Sequence, residues 1–112
     1  ADMSGAILDA ANLSGADLRR ANLRGASFQD TRLHAADLRE ARMGRAILKR
    51  TSLKEADLRG AYLRVAKFHR TDISGADLRD VEGLTTAQII HTIRDAHTRL
   101  PVDLITEIED GE

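Results

Sequence analysis

Residues 11–40 read Ala11-Asn12-Leu13-Ser14-Gly15, Ala16-Asp17-Leu18-Arg19-Arg20, Ala21-Asn22-Leu23-Arg24-Gly25, Ala26-Ser27-Phe28-Gln29-Asp30, Thr31-Arg32-Leu33-His34-Ala35 and Ala36-Asp37-Leu38-Arg39-Glu40. The unit is five residues long, and it runs without a gap from residue 1 to residue 80, giving 16 copies. The middle position is Leu in 11 units and Met, Phe or Ile in the rest, while the first is Ala in 13 and Thr in three, Thr31, Thr51 and Thr71. A period of five suits neither regular structure. On an α-helix it would carry the Leu residues around the whole circumference, and on a straight strand an odd period sends successive Leu to opposite faces. Within a unit, however, the apolar first and third positions alternate as in a strand. All the Leu-type side chains share one interior only if the chain turns a corner in every unit.

The number of corners per coil is also written in the sequence. Thr31, Thr51 and Thr71 recur at 20 residues, as do Asp17, Asp37, Asp57 and Asp77, and Arg19, Arg39, Arg59 and Arg79. Twenty residues are four units, which predicts a four-sided coil with equivalent corners stacked about 4.8 Å apart and a body roughly 19 Å long. Leu8, Leu18, Phe28, Leu38, Leu48, Leu58, Phe68 and Leu78 are expected to form core columns. Ala or Thr beside them is the size that the remaining space admits. Ala46→Leu should therefore overpack the interior and cost about 1–3 kcal/mol, read from circular dichroism melts. Gly5, Gly15, Gly25, Gly60 and Gly75 suit corners of positive φ. The remaining fifth positions imply a turn that L-residues tolerate.

Composition excludes several classes. There is no Cys, hence no disulfide and no thiolate metal site. No apolar run approaches the length of a membrane span. No targeting segment is visible in the sequence, which is read as favouring a cytoplasmic location over export. The net charge of −1 conceals an uneven distribution. Residues 1–80 hold 15 Lys/Arg against 11 Asp/Glu, and residues 81–112 hold 2 against 7. The chain is therefore divided into a repeat body, 1–80, and a C-terminal helical cap with an acidic tail, 81–112.

The units ANLSG, ADLRR, ANLRG, ADLRE, ADLRG and ADLRD resemble the A(D/N)LXX consensus of the pentapeptide-repeat family. The resemblance covers 80 of 112 residues. It implies an all-β solenoid: a right-handed quadrilateral parallel β-helix of about four coils with an α-helical cap. The tail is similar to the GLTxxQ and TRLP segments of many members, here Gly83-Leu84-Thr85-Thr86-Ala87-Gln88 and Thr98-Arg99-Leu100-Pro101. Thr85 and Gln88 form a capping-box pattern. Ile89, Ile90, Ile93, Ala96 and Leu100 fall on one helical stripe, expected to cover the open end of the last coil, with Pro101 ending the helix. Residues 102–109 suggest a second short helix, and the last acidic residues fraying. Nothing caps the first coil, so a homodimer through that end, or through the C-terminal helix, is open.

No catalytic, cofactor-binding or metal-binding constellation is visible, and the reading is that the protein is not an enzyme and carries no cofactor. His34, His69, His91 and His97 are scattered. The feature above background is the fourth side, where Asp17, Asp37, Asp57 and Asp77 form one column and Arg19, Arg39, Arg59 and Arg79 another. Like charges about 4.8 Å apart repel, and an adjacent column of opposite sign relieves this. Two readings follow: a self-neutralising lattice, worth ~0–1 kcal/mol per exposed pair, or a patterned surface for docking another protein. The expected function is accordingly a non-enzymatic interaction module or scaffold. Some members of the family mimic duplex DNA and bind DNA gyrase, but that needs an acidic surface and this body is basic. Nucleic-acid binding through the Arg column is disfavoured, because phosphate contact needs a basic stripe without compensating carboxylates.

Overall fold

A computed structural model describes residues 2–110, with side chains as far as Thr106. The chain measures 39 × 20 × 20 Å. The stretches 1–20, 21–40, 41–60 and 61–80 are here called coils one to four, and their sides are numbered in chain order.

The 20-residue period becomes a backbone ladder. Isolated parallel bridges join Asp2 to Asn22, Ile7 to Ser27, Asn12 to Arg32 and Asp17 to Asp37, and recur up the body on all four sides. Longer parallel pairing appears on the second side, where β1 (Ile47–Lys49) pairs with β2 (Lys67–His69). Each side is only two or three extended residues before the next corner. At the corners the first-position N–H donates to the carbonyl of the preceding middle residue, as in Ala6 to Met3 at 3.0 Å and Ala36 to Leu33 at 3.1 Å, with the corner before Thr71 the exception among the described residues. All 16 fifth positions are left-handed: Ala10, Ala35, Val65 and the charged residues adopt φ of 52–63°, beside the glycines. The non-glycine corners thus use the same turn as the glycine ones, a β-turn with positive φ at its third residue. The repeating ladder over-determines the corner and absorbs the cost of left-handed L-residues.

Inside, Leu23, Phe28, Leu33, Leu38, Met43, Leu48, Leu53, Leu58, Leu63, Ile73 and Leu78 are sealed from solvent, and Phe68 is buried. Leu8 and Leu18 are half-buried in coil one and pack against this core. The Thr column is buried as well, each hydroxyl donating to a carbonyl 23 residues earlier: Thr31 to Leu8, Thr51 to Phe28, Thr71 to Leu48. That is why Thr replaces Ala there: it fills the same space and satisfies a backbone oxygen.

The C-terminal segment departs from the single helix expected over the Ile89–Leu100 stripe. Glu82 still pairs with Tyr62 in coil register. Gly83 then turns with φ +83°, so close to Arg64 that a Cβ would lie 2.7 Å from its Cα. Helix α1 spans only Thr86–Ile89, opened by the capping box of Thr85 and Gln88. Gln88 Nε2 also donates to Leu63 O at 3.0 Å and Ala66 O at 2.9 Å, carbonyls that the end of coil four leaves without a strand. From His91 the chain resumes pairing. β3 (Thr71–Asp72) is parallel to β4 (Thr92–Ile93), and Leu78 N–H donates to Arg99 O at 2.7 Å. The separation along this partial turn grows from 20 residues to 21 at Thr92 and 22 at Arg99. Ile89 is buried, whereas Ile90 and Ile93 are 69% and 51% exposed and Leu100 is half-buried. The physical reason is the edge. An open coil presents a row of unpaired amides, and pairing them outweighs continuing a short helix whose Thr92 and Ile93 are β-branched. Pro101 does not end a helix; it precedes one, its carbonyl accepting from Leu104 and Ile105. Helix α2 runs Val102–Asp110 and contributes the buried Leu104 to the core. The side chain of Ile108 and the last two residues lie outside the described residues.

Candidate docking face

The second position of each unit points outward, and its preference for Asp or Asn has a local cause. Asp17, Asp37, Asp57 and Asp77 each accept through Oδ1 from the backbone N–H two residues on, at 3.1–3.2 Å. Asn12 and Asn22 do the same for Ser14 and Arg24. This short side-chain bridge leads the chain into the corner.

On the fourth side each of these carboxylates also takes a fork from the Arg two residues later. Arg39 Nε and Nη2 reach Asp37 at 2.9 and 2.7 Å, and Arg19, Arg59 and Arg79 repeat the geometry on Asp17, Asp57 and Asp77. The same guanidinium faces the carboxylate of the next coil, at 3.7 Å for Arg19–Asp37 and Arg39–Asp57 and 3.8 Å for Arg59–Asp77. The two columns form a continuous ionic ladder. The fork from Arg19 holds the Asp17 carboxyl down to about 2. Asp37, Asp57 and Asp77 are likewise lowered, each chiefly by the Arg two residues on. All four pairs are substantially solvated, so the energy per pair is small. What the ladder supplies is order: four guanidinium planes held at one pitch on a rigid backbone.

At its C-terminal end the ladder changes sign. Arg99, not a carboxylate, continues the Asp column above Asp77. Beside it, Arg59, Arg79, Leu100, Val102 and Ile105 line an open groove, with Val102 75% exposed. The 20-residue period misses Arg99 because two residues have been inserted before it. The signal that finds it is Thr98-Arg99-Leu100, which repeats Thr31-Arg32-Leu33 two places out of phase. The outward apolar residues remain apart: Ile7 is 79% exposed on the second side, Ile47 half-buried, and Tyr62 43% exposed on the first. Of the histidines, His34 meets Glu55 at 2.9 Å across a corner. Among the described residues no group of three His, Cys, Asp or Glu is placed to hold a metal. No helix among the described residues is long and apolar enough to cross a membrane.

A corner in every unit, four units to a coil and an Ala/Leu interior define a four-sided solenoid. The family model of pentapeptide repeats, which spans eight copies of the unit, matches this chain in three overlapping segments, 6–45, 26–64 and 46–81. The chain belongs to the pentapeptide-repeat family, and its solenoid is a right-handed β-helix. Among solved structures, the pentapeptide-repeat protein Rfr23 from the cyanobacterium Cyanothece 51142 superposes with TM-score 0.76 and 28% identity, over 84% of this chain and 63% of its own. HetL from the cyanobacterium Nostoc sp. strain PCC 7120, involved in regulating heterocyst differentiation, gives TM-score 0.50 and 33% identity over 71% of this chain. The chain spans less than two thirds of the length of either, 38% in the case of HetL. QnrB1, a plasmid-mediated fluoroquinolone resistance protein, aligns at TM-score 0.44 and 18% identity. No curated protein matches the sequence.

Proposed function

We propose that this chain is a non-enzymatic protein-docking module in which residues 1–80 form a four-coil body and residues 81–112 close one end. The fourth side is the docking face. The observation that carries the reading is the ionic ladder from Asp17 and Arg19 to Asp77 and Arg79. Its side chains are already fixed by forked bonds, so a partner meets an ordered charge pattern and pays little to immobilise it. The groove at Arg79, Arg99, Val102 and Ile105 adds the apolar anchor that a charged face lacks. A match to a repeat module rather than to a catalytic family agrees with this. The test is affinity capture with wild type beside an Arg39→Glu, Arg59→Glu variant and a Val102→Asp variant, with melting temperatures measured for all three. A partner retained by wild type and lost by both variants at unchanged stability supports the reading. Equal capture by all three removes the fourth side as the site.

A further inference from the structure

The second side differs from the fourth in one respect: apart from Arg50, its basic groups have no carboxylate partner. Arg45 N–H donates to Arg64 O, and Gly25 N–H to Gly44 O, which stacks Arg24, Arg45 and Arg64 along the corner between the first and second sides. Lys67 stands above Ile47 on the side itself. Lys49 and Arg70 lie along the opposite corner, where Asp30 N–H donates to Lys49 O and Arg50 N–H to His69 O. All six cations are exposed. Among the described residues none of them has a carboxylate within ion-pair distance. The acidic groups on this side are both engaged lower down, Asp30 by Arg50 at 2.7 Å and Asp9 by Ser27 and the Gln29 N–H.

We infer that the second side, over coils two to four, binds the phosphate backbone of duplex nucleic acid. The fourth side fails the requirement for a bare basic stripe, and the second side meets it. Three observations select the duplex. Five of the cations line the two parallel corners and Lys67 stands between them, on a surface about three extended residues wide, so together they can follow a regular line of phosphates. Among the described residues no Phe, Tyr or Trp ring is exposed there: Phe28 and Phe68 are buried inside and Tyr62 is on the first side, which leaves the single imidazole of His69 and no stacking platform of the kind single-strand binders use. Ile47 is half-buried between its neighbours and Val65, 58% exposed at the corner beside Arg64, is a single small apolar group, so an acidic protein would find charge but little of the apolar anchoring that makes protein interfaces. Contacts of this kind read the backbone and not the base edges, so binding should be independent of sequence.

The experiment is fluorescence anisotropy with a labelled duplex of about two helical turns, titrated across a salt series. Four to five phosphate contacts predict a slope of log K against log salt between about −3 and −5. Lys49→Glu, Lys67→Glu, Arg70→Glu in one chain should reduce affinity at least about tenfold and flatten the slope by about three units. Each single change should flatten it by about one, which keeps the test open if the triple variant folds poorly. Arg39→Glu, Arg59→Glu should leave binding unchanged, which separates this site from the docking face. No binding at low salt, equal binding by wild type and the second-side variants, or poly-glutamate and the matching single strand bound as tightly as the duplex would each overturn the inference.

Discussion

Replacing Ala35 by Gly should stabilise this protein, and replacing Ala36 by Gly should destabilise it. Ala35 is exposed at the fifth position of its unit, with φ +58°. Its Cβ there crowds the carbonyl, at roughly 1–2 kcal/mol for an L-residue in the left-handed region. Glycine removes that cost and adds about 0.5–1 kcal/mol of chain entropy lost on folding. The difference favours Gly by about 0.5–1 kcal/mol, or about 3–6 °C in melting temperature for a domain of this size. Nothing else changes, because the Ala35 N–H to Lys54 O bond at 2.8 Å belongs to the backbone. Ala36 is 1% exposed in the interior. There the same substitution adds the entropy cost, loses a buried methyl worth about 0.8 kcal/mol, and should destabilise by about 1.3–1.8 kcal/mol. Urea unfolding of the two single variants beside wild type, followed by circular dichroism, decides it. Destabilisation by Ala35→Gly comparable to that of Ala36→Gly would refute the left-handed corner.

Three further outcomes are expected. Gln88→Ala removes the reciprocal cap of α1 and both bonds to the Leu63 and Ala66 carbonyls, and should cost about 2–3 kcal/mol in urea unfolding. Hydrogen exchange should then show early loss of protection in residues 84–100, with the interior of coils two and three unaffected. Thr51→Val keeps the shape of the side chain but deletes its donor to Phe28 O, and should cost about 1 kcal/mol; a variant as stable as wild type would make the Thr column a matter of size alone. Acid should weaken the body. The Asp17, Asp37, Asp57 and Asp77 carboxyls titrate below their unfolded value of 3.8, so their contribution is present above that pH and disappears as they protonate. Melting temperature should fall between about pH 4 and about pH 2, and Asp37→Asn, Asp57→Asn should flatten that fall.

The five-residue period, the interior Ala and Leu positions and the 20-residue columns were all legible in the amino-acid order. The physical reason is that they rest on local geometry: a strand of two or three residues, an Asx bridge and a tight corner, repeated until no other arrangement buries the Leu residues together. The Asp and Arg columns were legible too, because their pairs lie two residues apart in the same unit. What followed the repeats was not. Ile89, Ile90 and Ile93 sit at helical spacing, yet the helix stops at Ile89 and Ile93 faces solvent from within a strand pair, because the open edge of coil four competes for the same backbone. That edge exists only once the coils have stacked. Arg99 enters the fourth side through a 22-residue step that no 20-residue count contains. The contrast between the fourth side and the second belongs to the same category: composition shows a basic body, but which cations have carboxylates beside them depends on residues 18 to 20 apart meeting at one corner. Sequence order by itself determined the coil; the stacking of coils decided how its end is closed and which of its faces keeps its charge.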